Sequence, residues 1–277
     1  MAIAISVLNQ KGGTGKTTSV ISLSYALAQK GCRILVIDLD PQANSTISFN
    51  ISPDDFINST ARVLTDPSLS LASIIVPTKI KNIYCAPADP SLGSADINLA
   101  DAGDKQFRLK KKIDGLNAAY DFIFIDCPPS LGLLPVNALT ASRYVLIPLL
   151  AQYLALEGLK HMTVSIEKVK NELNPDLEIL GILFCMVDTS LRMTQPGIDL
   201  VRESFKDIVL KQVIRLCPSF DEAVVMKETI FEYAPESTGA SDYAAAAAEL
   251  LAMLKAIPPK PFAGIFDRLR RVLRSSA

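Results

Sequence analysis

The stretch NQKGGTGKTT, Asn9 to Thr18, carries two lysines, Lys11 and Lys16, in one glycine-rich loop. The usual phosphate loop, G-x-x-x-x-G-K-[ST], has a glycine five residues before its second glycine, and Gln10 stands in that place here. The loop is a variant, and its extra lysine needs a reason. An apolar run precedes it and a helical pattern follows, the arrangement that aims backbone N–H groups and a positive helix end at phosphates. Gly12, Gly13 and Gly15 permit close backbone approach. Lys16 is placed to reach the β- and γ-phosphates, and the Thr17 hydroxyl to join a Mg²⁺ shell.

Outward from the loop, short apolar runs alternate with helical patterns, which predicts parallel strands joined by crossover helices. The runs are Ala2 to Leu8, Arg33 to Ile37, Phe122 to Ile125, Tyr144 to Leu149 and Ile179 to Phe184. Val20, Leu23 and Leu27 recur at helical spacing, and Gly31 supplies a stop. Further helices are expected over Gln106 to Asn117, Leu154 to Leu173, Gly197 to Phe205 and Ser241 to Lys255. The fold class is α/β, a mostly parallel sheet with helices on both faces. Asn44 to Ala100 is irregular. Pro258, Pro259 and Pro261 divide a 1–257 domain from a 258–277 tail.

Two segments bring carboxylates to the same sheet edge. YDFIFIDCPPS puts Asp126 at the end of an apolar strand, where a P-loop NTPase keeps its Mg²⁺-directed acid. CRILVIDLDPQANST puts Asp38 and Asp40 just past another strand, beside Pro41. Ligands of open α/β sheets sit beyond the carboxyl ends of strands, so all three acids are expected to face the phosphates; for Asp38 a turn-capping role competes.

Composition narrows the class. The 277 residues are 49% hydrophobic, ample for one large core. A net charge of −1 hides an asymmetry, because the chain from Lys255 onward carries +5 and the rest −6. The five cysteines show no C-x-x-C or metal-ligand spacing and read as reduced thiols of a cytosolic protein. His161 is the single histidine and sits in an ordinary helical pattern. Neither a leader peptide nor a run of about 18 apolar residues is found, so a secreted or membrane-spanning protein is not expected.

The segments KGGTGKTT, DLDPQANST, YDFIFIDCPPSLGLLPVNAL, LIPLLAQYLALEG, GILFCMVD and EYAPESTGASDY, spread from Lys11 to Tyr243, resemble the ParA-type partition ATPases of the deviant Walker A class. DLDPQ is closer to the partition branch than to the MinD-like branch. The resemblance implies ATP and Mg²⁺ as cofactors and an ATP-sandwich homodimer. It assigns Lys11 to the nucleotide of the opposite subunit and Lys16 to its own. Asp40 then orients the attacking water, and Thr17, Asp40 and Asp126 attend the metal. The implied nucleotide contacts are Lys11, Gly12, Gly13, Thr14, Gly15, Lys16, Thr17, Thr18, Met186 and Asp188. Non-specific DNA, a ParB-like stimulating protein and a nucleoid location in the cytoplasm follow from the same likeness.

The DNA-contacting surface is where the sequence departs from relatives. Their I-P-R-N-x-R segment is IRLCPS here, Ile214 to Ser219, and their M-Y-D-x-R-T loop is MVDTSLRM, with Arg192 displaced. Lys110, Lys111, Arg192, Lys211 and Arg215 remain as candidate phosphate contacts. In the tail, Phe262, Ile265, Phe266, Leu269, Val272 and Leu273 form an apolar helical stripe, with Arg268, Arg270, Arg271 and Arg274 outside it. Such a helix docks on its own body, binds a partner, or lies on anionic lipid through Phe262, Ile265, Phe266, Leu269, Arg270 and Leu273, as in a MinD-like membrane-recruited ATPase.

Overall fold

In the computed structural model, which describes residues 2–52, 57–116, 119–130, 132–151 and 155–256, strands and helices alternate along the chain. Their order is β1 (Ile3–Val7), α1 (Lys16–Gln29), β2 (Ile34–Asp38), α2 (Asn44–Ser48), α3 (Thr60–Thr65), β3 (Val76–Pro77), β4 (Ile83–Ala86), α4 (Ala95–Asn98) and α5 (Arg108–Asp114). Then come β5 (Phe122–Asp126), α6 (Leu133–Ala141), β6 (Tyr144–Leu150), α7 (Ala155–Glu172), β7 (Glu178–Cys185), α8 (Thr194–Phe205), α9 (Ser219–Val225), α10 (Ile230–Tyr233) and α11 (Thr238–Ala256). One sheet of order β3-β4-β2-β5-β1-β6-β7 results, parallel except for the β3 edge. The proposed tail, with its stripe from Phe262 to Leu273, lies outside the described residues.

The inner strands are continuous apolar runs because both faces are covered. ILVID of β2 and FIFID of β5 are buried at every position. Alternation sends Leu35, Ile37, Ile123, Ile125, Val145 and Ile147 into a core with α6 and α7, and Ile34, Val36, Phe122, Phe124 and Leu146 into another with α1 and α11. Gly31, at φ 89°, ends α1 as expected: its N–H returns to the Ala28 carbonyl.

Three things were not expected. β3 and β4 occupy the irregular 44–100 stretch, and α6 joins β5 to β6. Pro135 sits in the first turn of α6, where a missing N–H costs nothing. The expected helix over Gln106 to Asn117 is shorter as α5, and α8 and α11 begin three residues early.

Register sets the site. β5 lies between β1 and β2, with Val7 beside Asp126 and Asp38 beside Asp126. The loop after β1 and the acids of β2 and β5 therefore meet at one edge. Among the described residues no helix is long and apolar enough to cross a membrane.

Candidate nucleotide and metal site

The loop is anchored from below by Asn9, which is 6% exposed. Its Nδ2 donates to the Pro148 carbonyl of β6 at 2.6 Å, and its Oδ1 accepts the Lys11 N–H at 3.0 Å. Gly13 and Gly15 take left-handed conformations, φ 69° and 84°, that disfavour any side chain. A Cβ on Gly15 would meet the Cys185 Cβ at 3.4 Å, an ordinary contact, so it is the left-handed backbone that calls for glycine there. Gly15 precedes α1, whose first residue is Lys16.

The two lysines part company. Lys16 is 7% exposed and donates from Nζ to the Lys11 carbonyl at 3.2 Å, while the Lys11 side chain is at the surface. Burial pulls the Lys16 ammonium below its ordinary pKa, against the pull of Asp126 and Asp40. Thr14 bonds the same carbonyl from Oγ1 at 3.4 Å. The loop thus closes on itself around a carbonyl.

Asp126 is fully buried, and its Oδ2 accepts two hydroxyls, Ser45 Oγ at 2.7 Å and Thr17 Oγ1 at 2.8 Å. Its Oδ1 has no hydrogen-bond partner among the described residues. Burial raises its pKa to about 6 despite the two hydroxyls. A buried carboxylate oxygen left bare is costly unless something else attends it. The donors around it, a threonine hydroxyl and two carboxylates, are all hard oxygens and suit Mg²⁺. No group of three His, Cys, Asp or Glu fit to hold a metal occurs among the described residues. Mg²⁺ does not need one, since phosphates and waters fill most of its shell. The residues present fit the ion.

Asp40 is 8% exposed, and its Oδ1 accepts the Gln42 N–H at 2.9 Å. Its charge acts on both Lys16 and Asp126, so the three groups share one site. Asp38 does not join them. Its Oδ1 accepts the Asp40 N–H at 3.0 Å, and its Oδ2 takes Thr46 through N–H at 2.9 Å and Oγ1 at 2.8 Å. The expectation that all three acids face the phosphates is corrected: Asp38 is spent on holding the turn that presents Asp40. Burial, then the charge of Asp126, raises its pKa to about 7.

Met186, at φ 51°, lies beside the loop, its Cε 3.8 Å from where a Gly15 Cβ would be. Asp188 is two residues further on, its Oδ1 accepting Ser190 N–H at 2.9 Å and Oγ at 2.6 Å. Gly12 is exposed, with nothing within 4 Å of where a Cβ would stand, and Thr18 is half-buried in the first turn of α1. Ser45 was missed, although DLDPQANST contains it.

The five candidate DNA contacts are not brought together. Lys110 and Lys111 lie on α5 and pair with Asp114 at 3.9 Å and Asp104 at 2.7 Å. Arg215 grips Asp242 of α11 with two bonds, Nε at 2.9 Å and Nη2 at 2.7 Å. Lys211 is exposed, its N–H bound to Glu249 of α11, and Arg192 is exposed before α8. His161 is an exposed residue of α7.

The family model described as "AAA domain" matches residues 2–179. The chromosome partitioning protein ParA of Myxococcus xanthus is 38% identical over 253 residues, 89% of this chain and 87% of that protein. The sporulation initiation inhibitor protein Soj of Bacillus subtilis is 39% identical over 252 residues, 91% of this chain and 99% of that protein. A crystal structure of cobyrinic acid a,c-diamide synthase from Mycobacterium smegmatis, with bound ADP and magnesium, superposes with a TM-score of 0.81 at 31% identity, over 94% of this chain and 98% of that one. A variant phosphate loop, a buried acid one strand away, and likeness of this extent to both ParA and Soj make the chain a member of the ParA/Soj family of partition ATPases.

Proposed function

We propose that the chain is a slow Mg²⁺-dependent ATPase that pairs with a second copy when both hold ATP, binds DNA non-specifically as that pair, and lets go when a ParB-like partner stimulates hydrolysis. Chromosome, plasmid or another cargo is segregated by the cycle, in the cytoplasm on the nucleoid surface. The unequal placement of the two lysines carries the reading. Lys16 is buried beside Asp40 and Asp126 and suits the chain's own nucleotide, whereas Lys11 is at the surface and suits a nucleotide held opposite. A cation set against phosphate charge is strongest where a closing interface excludes water, so ATP itself becomes part of the contact.

The remaining roles follow from position. Backbone N–H groups from Gly12 to Thr17 cradle the phosphates, with Met186 and Asp188 flanking the nucleotide. Mg²⁺ supplies charge neutralisation of the phosphates when bound, held by Thr17 with Asp126 and Asp40 behind it. Asp40, on its Asp38-anchored turn, orients the attacking water. The M. smegmatis structure, with its ADP and magnesium, supports this assignment.

Light scattering with ATP and Mg²⁺ tests the lysine assignment. Lys11→Ala is expected to bind nucleotide yet remain a monomer, and Lys16→Ala to lose the nucleotide response. An unchanged ATP-dependent dimer in Lys11→Ala overturns the cross-subunit role. A second reading, a MinD-like membrane-recruited ATPase, is favoured by the apolar stripe from Phe262 to Leu273 with its flanking arginines. Pairing would double that tail and strengthen a marginal anchor.

A further inference from the structure

The sequence DPQANST places two hydroxyls in succession, and the fold gives each to a different carboxylate. Ser45 and Thr46 are both fully buried in α2. Thr46 Oγ1 donates to Asp38 Oδ2 at 2.8 Å, and Ser45 Oγ donates to Asp126 Oδ2 at 2.7 Å. The acids close neighbouring strands in register. Ser45 thus spans from the Asp40 segment to the acid of β5.

Asp126 Oδ2 is shared by Ser45 and Thr17, while Oδ1 has no partner among the described residues. Two hydroxyls on one oxygen leave the carboxylate a single orientation, because turning it would break both bonds at once. A serine needed only to satisfy a buried carboxylate would serve better on the bare oxygen, where the unmet cost lies. Ser45 instead doubles the bond that Thr17 already makes. Its bond therefore goes to the oxygen that holds Thr17, and so bears on where the Thr17 hydroxyl sits.

We propose that Ser45 is a positioning residue for the metal-bound nucleotide: by sharing Asp126 Oδ2 with Thr17 it fixes the carboxylate and, through it, the Thr17 hydroxyl that would join the Mg²⁺ shell. The inference rests on the Mg²⁺–nucleotide reading above. Groups that orient metal-directed ligands are worth about ten- to a hundredfold in metal affinity.

The test is thermal unfolding of the full chain with ADP, titrated with Mg²⁺, a readout that needs no turnover. ADP alone should raise the midpoint equally in wild type and Ser45→Ala. The Mg²⁺ concentration giving half of the additional rise should be about ten- to a hundredfold higher in Ser45→Ala and return close to the wild-type value in Ser45→Thr, which restores the hydroxyl. Ser45→Cys keeps nearly the same volume with a weak donor and so should follow Ser45→Ala, even if the alanine variant fails to fold. A wild-type Mg²⁺ midpoint in Ser45→Cys overturns the proposal. So does an equal loss of the response to ADP alone, which would make Ser45 a general support of the loop. Wild type with no Mg²⁺ increment overturns the Mg²⁺–nucleotide reading as well, and is told apart because it needs no variant.

Discussion

Asp38 and Asp126 are fully buried at the ends of adjacent strands, and burial is the first cause of the rise in each, to about 7 and about 6. Their unfolded values lie near 4. A folded pKa above the unfolded one means the fold holds extra protons, so this contribution to stability is complete below about pH 4 and is lost as pH rises through 6 to 7. The nucleotide-free chain should therefore lose stability as pH rises from about 4 to about 7. Asp126→Asn should flatten the change by on the order of 2 kcal/mol. Urea midpoints at three pH values check this, and a wild-type slope in the variant would refute it. Asp40→Ala should keep ATP binding, accumulate the dimer and lose at least about a hundredfold of stimulated turnover. Hydrolysis at the wild-type stimulated rate would remove Asp40 from the water-orienting role. That Lys16, Asp40 and Asp126 meet at one sheet edge was legible, because loop spacing and strand ends announce it. The hydrogen bonds of Asp38 and Ser45 were not, because what their oxygens bond is decided by the register of β2 on β5 and by the fold of α2.

Strand β7 shows how an element limits its own residues. A Cβ on Gly181 would collide with the buried Leu210 side chain and come within 3.4 Å of the Ile208 carbonyl. Leu210 is held there because its N–H donates to the Ile182 carbonyl at 3.0 Å. Gly181→Ala should cost roughly 1–3 kcal/mol, as overpacking does, and lower the thermal midpoint by several degrees. An unchanged midpoint would mean that the 208–210 segment yields freely. The long parallel strands were readable as apolar runs. β4 was not, since its four residues lie between Asn82, at φ 68°, and Pro87, and β3 has only two residues, one of them Pro77. α6 was hidden by Pro135, though a parallel β5–β6 pair separated by one strand demands a crossover. For the tail, flotation with ATP on anionic and neutral vesicles compares the full chain with one ending at Ile257. On the membrane reading, only the full chain floats, and only on anionic lipid. A full chain that stays with the soluble fraction removes that reading.

Across the whole molecule the candidate cations are divided between α5 and the β7–α11 side, and three of them already hold acids. DNA binding should accordingly be weak without ATP and gain from pairing two copies. Its log K should fall linearly with log salt at about −0.9 per phosphate neutralised, with little sequence preference. Retardation assays across salt concentrations check this, and a strong preference for one sequence would contradict it. The fold class followed from the alternation of runs and helices, but the strand order did not, because order is a matter of which crossovers skip a neighbour. That skipping has a consequence in time. β1 and β2 come first along the chain, yet they never pair, for the space between them belongs to β5, more than eighty residues later. While the chain is being made, the phosphate loop and the Asp40 turn both exist before the wall that joins them. A nascent chain stopped short of Phe122 carries both motifs in full and has no nucleotide site, so ligand-dependent stability can appear only after the fifth strand has threaded between the first two.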